Sequence, residues 1–453
     1  MTPLVKLQKV NNRSNTVFLP DRLRDAVPRT LSWIGFSTRN TPCRIHYDSG
    51  SELGISEDVW EALRLPLEEY VHVYVRGDTL QLGPLIGIFT AGFTDHPQRP
   101  VGERTRLFAK TLSAASEVGA FCYLFGSHQI DWGTGTIEGY FYHPTGWEKR
   151  KVPFPDVVYD RLPNRRTERL PLMRSVKHKL QNDYWIPWFN PGFFDKWDIH
   201  EKLRGDARVV HYLPETQAAP DEATIAAMLS AHRQVYVKPA KGSLGLGIHQ
   251  IIRSKDGEQY FCRFHDGGEN RLRRFHSLNN LLAHQFPGNR LKHLLAQQGI
   301  ELMRDEDRVV DFRVHTNKND YGDWQVSALA AKVAGSGSVT THLKYGGRVK
   351  TIDEVLRPVD KAREAETILK EAALTISQAI DENIEGFIGE IGFDLGIDIN
   401  GKVWLFEANA KPGRHIFAHP KLKEAEALSR RLPLAYAVHL TETQLRQPAM
   451  IYA

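Results

Sequence analysis

Short apolar and β-branched runs near the N-terminus predict strands with little helix between them. The runs lie at residues 15–19, 43–47 and 71–75, and one short helix is predicted from Ser56, as its N-cap, to residue 63. None of these segments carries residues with obvious chemistry. Residues 1–82 are therefore expected to form a small β-rich accessory domain.

The next part of the chain has a different hydrophobic pattern. Apolar runs at 85–89 and 120–125 are separated by a helical pattern at about 102–119. Strand, helix and strand in this order are typical of a parallel α/β unit. A further hairpin is predicted over 137–152. Residues 83–190 are expected to form a second, small parallel α/β domain.

Residues 191–453 alternate between helical and strand patterns and are expected to form one large domain of two subdomains. Helices are predicted over 195–203, 223–229, 278–285, 291–298 and 360–384, and strands from 235, then over 247–252, 308–315, 324–333 and a hairpin at 389–409. The predicted fold class is α/β (α+β).

The hairpin at 389–409 carries the first candidate chemistry. Asn400-Gly401 is the signal for a two-residue type I′ turn, in which both central residues have φ > 0. Such a turn places Asp394 opposite Glu407, and residue 392 opposite Asn409. The strand period then assigns side chains to two faces. The core face is predicted to hold Phe393, Leu395, Ile397, Ile399, Trp404, Phe406 and Ala408.

Asp394, Glu407 and Asn409 share the other predicted face. Two carboxylates opposite each other on a sheet repel, and a divalent cation between them would convert that cost into a binding site. An oxygen donor set of this kind suits Mg²⁺ carrying a nucleotide phosphate. The alternative is that both carboxylates point into solvent or pair with Lys411 or Arg414.

A glycine-rich loop follows the strand that begins at residue 235. It contains Gly242, Ser243, Gly245 and Gly247, and Lys238 and Lys241 bracket it with positive charge. Glycines let backbone N–H groups approach a phosphate closely. The segment 241–247 matches neither the P-loop nor the dinucleotide fingerprint. A loop closing over a triphosphate and an ordinary surface loop are both compatible with it.

Other basic residues occupy positions where a nearby anion would stabilise their positive charge. Lys196 falls in the first turn of a helix begun at Asp195, where the helix dipole favours negative charge. An exposed lysine is the alternative. The loop at 160–168 contains three arginines, which could face an anionic substrate or solvent.

A predicted strand pair adds two further basic residues. Alternation places Asp311, Arg313 and His315 on one face of the strand 308–315, and the returning strand brings in Lys332. Basic groups along a strand pair can clamp a transferring phosphoryl group. The alternative is a purely structural salt bridge between Asp311 and a neighbouring basic residue.

Composition narrows the class of protein without naming a ligand. The 453 residues are 41% hydrophobic and 25% charged, with a net charge of +5, which does not argue for nucleic acid. Cys43, Cys122 and Cys262 are isolated, which excludes a thiolate metal site and indicates a reducing compartment. The sequence contains neither a secretory signal nor an apolar run of membrane-spanning length. A cytoplasmic protein is expected.

The order of these motifs resembles the ATP-grasp superfamily, which includes D-alanine–D-alanine ligase and glutathione synthetase. More narrowly, it resembles the YheC/YheD family of endospore coat-associated proteins. The resemblance runs from about residue 83 to about 420. It is carried by DKWDIHEKL (195–203), YLPET (212–216), VKPAKGSLGLGI (237–248), QQGIEL (297–302), DFRV (311–314), HLKYGG (342–347), GFDLGID (392–398) and LFEANAKPGR (405–414).

The resemblance implies an ATP-grasp fold and a role for each matching residue. Lys196 and Lys238 match lysines that contact ATP phosphates, and Gln298 lies near the hinge that meets adenine. The segment 241–247, with Lys241, Gly242, Ser243, Gly245 and Gly247, matches the loop over the triphosphate. Asp394, Glu407 and Asn409 match the Mg²⁺ ligands, Arg313 a residue near the acyl phosphate, and Lys332 a base near the nucleotide. His342 departs from the pattern, since asparagine is expected there.

The activity implied is that of an ATP- and Mg²⁺-dependent ligase, with Mn²⁺ as an alternative ion. It would join a small-molecule or peptide carboxylate to an amine through an acyl phosphate. The second hypothesis is a structural or nucleotide-binding protein of the spore coat without turnover, associated with the coat through residues 1–82. Neither a membrane nor nucleic acid is expected as a partner.

Overall fold

The computed structural model describes residues 3–11, 13–28, 30–240, 247–338, 341, 346–357 and 359–447. Four β-sheets with packed helices make up this part of the chain, which is a mixed α/β architecture as predicted. No helix among these residues is both long and apolar enough to cross a membrane.

The first sheet has eight strands. They are β1 (Leu4–Val10), β2 (Thr16–Pro20), β3 (Trp33–Phe36), β4 (Arg39–Pro42), β5 (Arg44–Asp48), β6 (Leu53–Ser56), β7 (Tyr70–Arg76) and β8 (Thr79–Gly83), in the order β4-β3-β8-β7-β1-β6-β2-β5. Helix α1 (Glu57–Leu63) packs on it. The three strands and the helix predicted here are confirmed.

The second sheet has seven strands. They are β9 (Leu85–Phe89), β10 (Phe121–Phe125), β11 (Ile130–Asp131), β12 (Thr136–His143), β13 (Gly146–Pro153), β14 (Val157–Asp160) and β15 (Trp188–Phe189), in the order β11-β12-β10-β9-β14-β15 with β13 paired to β12. Strands β9 and β10 pair in parallel, as predicted. The helical pattern between them forms α2 (Thr105–Leu112) flanked by two single 3₁₀ turns. After β14 come α3 (Arg165–Glu168) and α4 (Pro171–His178).

The third sheet has six strands, preceded by α5 (Lys196–Leu203) and covered by α6 (Glu222–His232) and α7 (Leu278–Gln285). They are β16 (Thr216–Ala218), β17 (Gln234–Pro239), β18 (His249–Arg253), β19 (Tyr260–Asp266), β20 (Glu269–Phe275) and β21 (Leu294–Gln298), in the order β16-β21-β17-β18-β19-β20.

The helix predicted over 291–298 is wrong. A 3₁₀ turn at Arg290–His293 leads into strand β21, which pairs with β16 on one side and β17 on the other. Both neighbours supply backbone partners, and Ala296 is fully buried between them. This tertiary pairing outweighs the local helical preference of the run.

The fourth sheet has six strands. They are β22 (Arg304–Asp305), β23 (Arg308–Lys318), β24 (Trp324–Val333), β25 (Arg348–Lys350), β26 (Glu390–Ile397) and β27 (Val403–Asn409), in the order β25-β24-β23-β26-β27 with β22 paired to β23. Helices α8 (Ile352–Val355), α9 (Val359–Asn383) and α10 (Lys423–Arg446) pack around it. Leu369, Ala373 and Ile376 of α9 are fully buried against Phe312 and Phe393, so the predicted amphipathic helix at 360–384 is confirmed.

The turn between β26 and β27 differs from the predicted type I′ turn. Asp398 and Lys402 close a three-residue loop, since Asp398 N donates to Lys402 O at 3.0 Å. Gly401 has φ +85°, whereas Asn400 is not among the residues with positive φ. The Asp398 carboxylate accepts from the backbone N–H groups of Asn400 and Lys402 at 2.9 and 3.0 Å, which stabilises this loop.

A β-bulge restores the predicted register further along the hairpin. Leu395 pairs with Leu405 but Asp394 pairs with Glu407, so Phe406 is the extra residue. The predicted pairing of the two carboxylates is therefore confirmed, although the turn that motivated it is wrong. The bulge also changes the faces: Leu405 enters the core, and Phe406 does not.

Two of the residues assigned to the core face lie elsewhere. Ile399 is 62% exposed at the hairpin tip, and Phe406 is half-buried and lines a cavity. Phe406 fits there because Gly396, across the sheet, has no side chain: a Cβ at that position would lie 2.5 Å from the Phe406 ring. A side chain at residue 396 would therefore displace the cavity wall.

Candidate active site

A single cavity of about 1660 Å³ gathers the predicted site residues of the described chain, apart from Gly247. Strands β17, β18 and β21 form one wall, β23, β24, β26 and β27 another, and residues 163–166 a third. The predicted residues in the lining are Lys196, Lys238, Gln298, Arg313, Lys332, Asp394, Glu407 and Asn409. Gly247 adjoins the lining residue Ile248 and has φ +72°. Lys241, Gly242, Ser243, Gly245 and His342 lie outside the described residues.

Asp394 is held by two basic side chains from neighbouring strands. Its carboxylate lies 2.8 Å from Lys332 Nζ and 3.3 Å from Arg313 Nη2. Burial would raise the pKa of Asp394, but Arg313 and Lys332 outweigh it and lower the pKa to about 2. Asp394 is therefore ionised at neutral pH, as a metal ligand must be.

Lys332 also bonds to a second carboxylate, that of Asp311 on β23. The distance from Lys332 Nζ to Asp311 Oδ1 is 2.9 Å, and the Thr341 hydroxyl donates to the other Asp311 oxygen. Burial raises the pKa of Asp311, against the opposing effect of Lys332. For Lys332, burial would lower the pKa, but Asp311 and Asp394 raise it above its ordinary value. The salt bridge considered for Asp311 is thus present.

Glu407 pairs with Lys196, which explains the lysine in the first turn of α5. The Asp195 carboxylate caps this helix by accepting from Trp197 N at 3.0 Å. Lys196 is only 12% exposed, and its Nζ lies 3.3 Å from Glu407 Oε2. The alternative of an exposed lysine is therefore wrong, because an anionic group lies beside it.

Lys238 is buried and has no carboxylate within ion-pair distance among the described residues. Its Nζ donates to Gln297 Oε1 at 2.7 Å, and Gln297 Nε2 donates to the Thr216 hydroxyl at 3.0 Å. Burial, together with Lys196, lowers the pKa of Lys238 to about 7, against the opposing effect of Glu407 and Asp394. A buried ammonium group without a carboxylate partner in the described chain is suited to receive an anion, which would favour its protonated form.

Gln297 lines the cavity beside Lys238 and is a candidate site residue that the sequence reasoning missed. Gln298, the residue predicted near the adenine hinge, also lines the cavity, but its side-chain oxygen accepts from Glu215 N at 3.2 Å. A strand assignment for β21 would have placed the side chains of Gln297 and Gln298 on opposite faces, because side chains alternate along a strand. The helical prediction concealed that alternation.

The alternative partners suggested for the hairpin carboxylates are engaged elsewhere. Lys411 Nζ lies 2.6 Å from Asp160 and 3.4 Å from Glu168. Arg414 Nη2 lies 3.2 Å from Glu390, a fully buried residue of β26. His315, on the same face of β23 as Arg313, is fully buried with its ring against Phe417.

Glu390 also fastens the fourth sheet to the second, a contact that the sequence reasoning did not predict. Its carboxylate accepts from Tyr159 Oη at 2.6 Å and pairs with Arg161 at 2.7 Å. Asn190 accepts from the backbone N–H of Glu390 at 3.1 Å and donates to its carbonyl at 2.7 Å. These bonds fix the start of β26, the strand that carries Asp394.

The donor set at the hairpin suits a magnesium ion. Asp394 and Glu407 face each other across β26 and β27, and Asn409 follows two residues later on the same strand. All three offer oxygen atoms, which Mg²⁺ prefers. Within the described ranges no group of three or more His, Cys, Asp or Glu side chains could hold a metal, so a site here depends on the amide of Asn409 or on a ligand.

Comparison with known proteins identifies the family of this chain. The model of the family described as "YheC/D like ATP-grasp" matches residues 185–440. The Bacillus subtilis (strain 168) endospore coat-associated protein YheD is 42% identical over 452 residues, covering 97% of this chain and 96% of that protein. YheC of the same organism is 22% identical over 333 residues, covering 71% of this chain and 88% of that protein. The chain belongs to the YheC/D-like ATP-grasp family.

Among solved structures, D-alanyl-alanine synthetase A from Vibrio cholerae is similar with a TM-score of 0.45 and 12% identity. The match covers 81% of this chain and 99% of that protein.

Proposed function

We propose that this protein is an ATP- and Mg²⁺-dependent ligase that activates a carboxylate as an acyl phosphate for attack by an amine. The observation that supports this most directly is that one cavity holds Lys196, Lys238 and Arg313 together with the facing pair Asp394 and Glu407. Basic groups for phosphates and paired carboxylates for a metal are the parts that phosphoryl transfer requires.

The proposed reaction has two steps. An oxygen of the donor carboxylate attacks the γ-phosphorus of ATP, the bond to the β–γ bridging oxygen breaks, and ADP leaves. The amine nitrogen then attacks the acyl carbon, the bond to the phosphate oxygen breaks, and inorganic phosphate leaves as the nitrogen loses a proton. No protein nucleophile is needed, so positioning and electrostatics supply the rate.

Each basic side chain has a proposed task. Lys196 and Lys238 bind the phosphates, and Lys332 keeps Asp394 and Asp311 in place on adjacent strands. Arg313 holds the acyl phosphate, because its Nη1 is buried and has no hydrogen-bond partner in the described chain. Asp394, Glu407 and Asn409 would hold Mg²⁺, or Mn²⁺ in its place, which when bound neutralises charge on the phosphates.

A spore location is a further part of the proposal, since YheD is named as an endospore coat-associated protein. We propose that residues 1–82 provide that association and that residues 83–190 and 191–453 carry the site. Fractionation of sporulating cells that carry the tagged full-length chain tests the location, and recovery of the tag away from the coat fraction would contradict it.

The activity is tested with hydroxylamine as a substitute amine. Purified protein with ATP, Mg²⁺ and a panel of carboxylic acids and short peptides is expected to release phosphate and form a hydroxamate, and omitting any one component should stop both. If calorimetry shows ATP binding but the full panel yields neither product, the ligase is excluded and nucleotide binding without turnover remains.

Lys238→Met is expected to remove a proton uptake that accompanies ATP binding. At pH 8 the free protein holds Lys238 mostly neutral, because its pKa is about 7. A triphosphate beside it favours the ammonium form, so the wild type takes up as much as about one proton per nucleotide. Calorimetric titration at pH 8 in buffers of different ionisation enthalpy measures this number. Lys255→Met, an exposed lysine at the same cavity, is the control. Unchanged uptake in Lys238→Met would refute the assignment.

A further inference from the structure

Two arginines of α3 form part of the cavity wall and are not used by the proposed nucleotide site. Arg165 and Arg166 follow Asn164, which caps the helix by accepting from Thr167 N at 2.9 Å. They come from the segment between β14 and β15 of the second sheet, whereas the proposed phosphate ligands come from α5 and the two later sheets. This wall therefore borders the space that a substrate would occupy beside the phosphates.

The acidic groups near this wall are already paired. Asp160 and Glu168 hold Lys411 at 2.6 and 3.4 Å, and Glu390 holds Arg161 at 2.7 Å. Arg165 and Arg166 have no acidic partner among the described residues. No described carboxylate therefore compensates their positive charge.

The two arginines are arranged differently. Arg165 is fixed, because its guanidinium donates to Phe194 O and lies over the Phe193 ring at 5.4 Å. Arg166 is exposed and makes no side-chain hydrogen bond or ion pair with any residue that the structure describes. One anchored guanidinium group beside one free guanidinium group can bind an anionic group between them.

The cavity as a whole has more charge and more room than one nucleotide needs. Among the described residues, its lining contains twelve Lys or Arg residues and four Asp or Glu residues. A triphosphate arriving with its divalent metal cancels only part of this excess. The volume of 1660 Å³ also exceeds the roughly 300–1,000 Å³ typical of a small-ligand site. A second anionic ligand fits both observations.

We propose that the donor carries two acidic groups: the reacting carboxylate at Arg313 and a second carboxylate at Arg165 and Arg166. This rests on the proposed function and specifies its substrate class. The donor is a free dicarboxylic acid, or a peptide whose acidic side chain and C-terminal carboxylate supply the two groups. Guanidinium groups recognise carboxylates through two parallel hydrogen bonds, which gives the selectivity.

Calorimetric binding to the full-length protein, loaded with Mg²⁺ and a non-hydrolysable ATP analogue, tests the proposal. The probes are glutarate against valerate, and the tripeptide Ala-Glu-Ala against Ala-Gln-Ala. The wild type should bind the dicarboxylic member of at least one pair about tenfold or more tightly, and Arg166→Ala should remove that preference. The responding pair distinguishes a free acid from a peptide. Arg169→Ala, an exposed arginine just past α3 and outside the cavity lining, is the matched control and should keep the preference.

The outcomes separate this inference from the proposed function. Preference lost in Arg166→Ala alone supports the second carboxylate site, even if no hydroxamate forms and the ligase proposal fails. No preference in the wild type, or an equal preference in Arg166→Ala, overturns the site and leaves the ligase proposal to the hydroxamate assay. Binding of the ATP analogue, measured for each variant, confirms that the cavity remains formed.

Discussion

Glu407→Gln is expected to abolish ATP consumption while the protein stays folded. The substitution keeps the shape of the side chain but removes the charge that faces Asp394 across the hairpin, so the affinity for Mg²⁺ falls. We expect a loss of at least about a hundredfold in turnover, comparable to removing one electrostatic contact to the transition state. Phosphate release at the ATP and Mg²⁺ concentrations that saturate the wild type measures it.

The fold should tolerate this change. Glu407 is 24% exposed and its one ion pair, with Lys196, spans 3.3 Å, so its loss costs about 1 kcal/mol or less of unfolding free energy. Glu385→Gln, at an exposed position outside the cavity lining, controls for the chemical change alone. Full activity in Glu407→Gln would remove the metal assignment.

Lys332→Met is expected to lower the free energy of unfolding by about 3–5 kcal/mol. Lys332 is 13% exposed and lies within 2.9 Å of both Asp311 and Asp394. Removing it leaves Asp394 with Arg313 but leaves Asp311, among the described residues, with the Thr341 hydroxyl alone. A buried charge that loses its partner is costly. Urea denaturation followed by circular dichroism measures the change.

The effect should depend on pH in a defined direction. Burial raises the pKa of Asp311 and Lys332 opposes it, so without Lys332 that pKa rises further. In the unfolded chain the pKa of Asp311 is about 4. The folded variant then binds more protons than the unfolded chain, so its stability falls as pH rises through the raised pKa. We expect a larger deficit at pH 8 than at pH 5.

Two further variants test the cause. Lys332→Met combined with Asp311→Asn should recover part of the loss, since the unpaired charge is gone. Lys350→Met removes a more exposed ion pair of β25, with Asp305 at 2.6 Å, and should cost about 1 kcal/mol or less. A deficit in Lys332→Met no larger than in Lys350→Met would show that the buried cluster is not held together by Lys332.

Local sequence was sufficient for features whose causes lie within a few residues. The Asp195 carboxylate caps the helix that presents Lys196, and β-branched runs predict β17 and β23 correctly. The Asp-Glu pairing in the hairpin was also correct, but only because the bulge at Phe406 compensates for a turn that is one residue longer than predicted. Turn type depends on the Asp398 side chain, which the Asn-Gly signal does not report.

Tertiary structure decided the features that depend on distant parts of the chain. Residues 294–298 became a strand because two other strands flank them. Lys411 pairs with Asp160, which is 251 positions away in the chain, rather than with the nearby hairpin carboxylates. By itself the sequence determined the order of the motifs and most of the candidate residues that line the cavity, since these follow from local periodicity and residue chemistry. Only the folded chain decided which charges neutralise one another and which arginines stay unpaired, because ion pairing depends on distances in space that no local pattern contains.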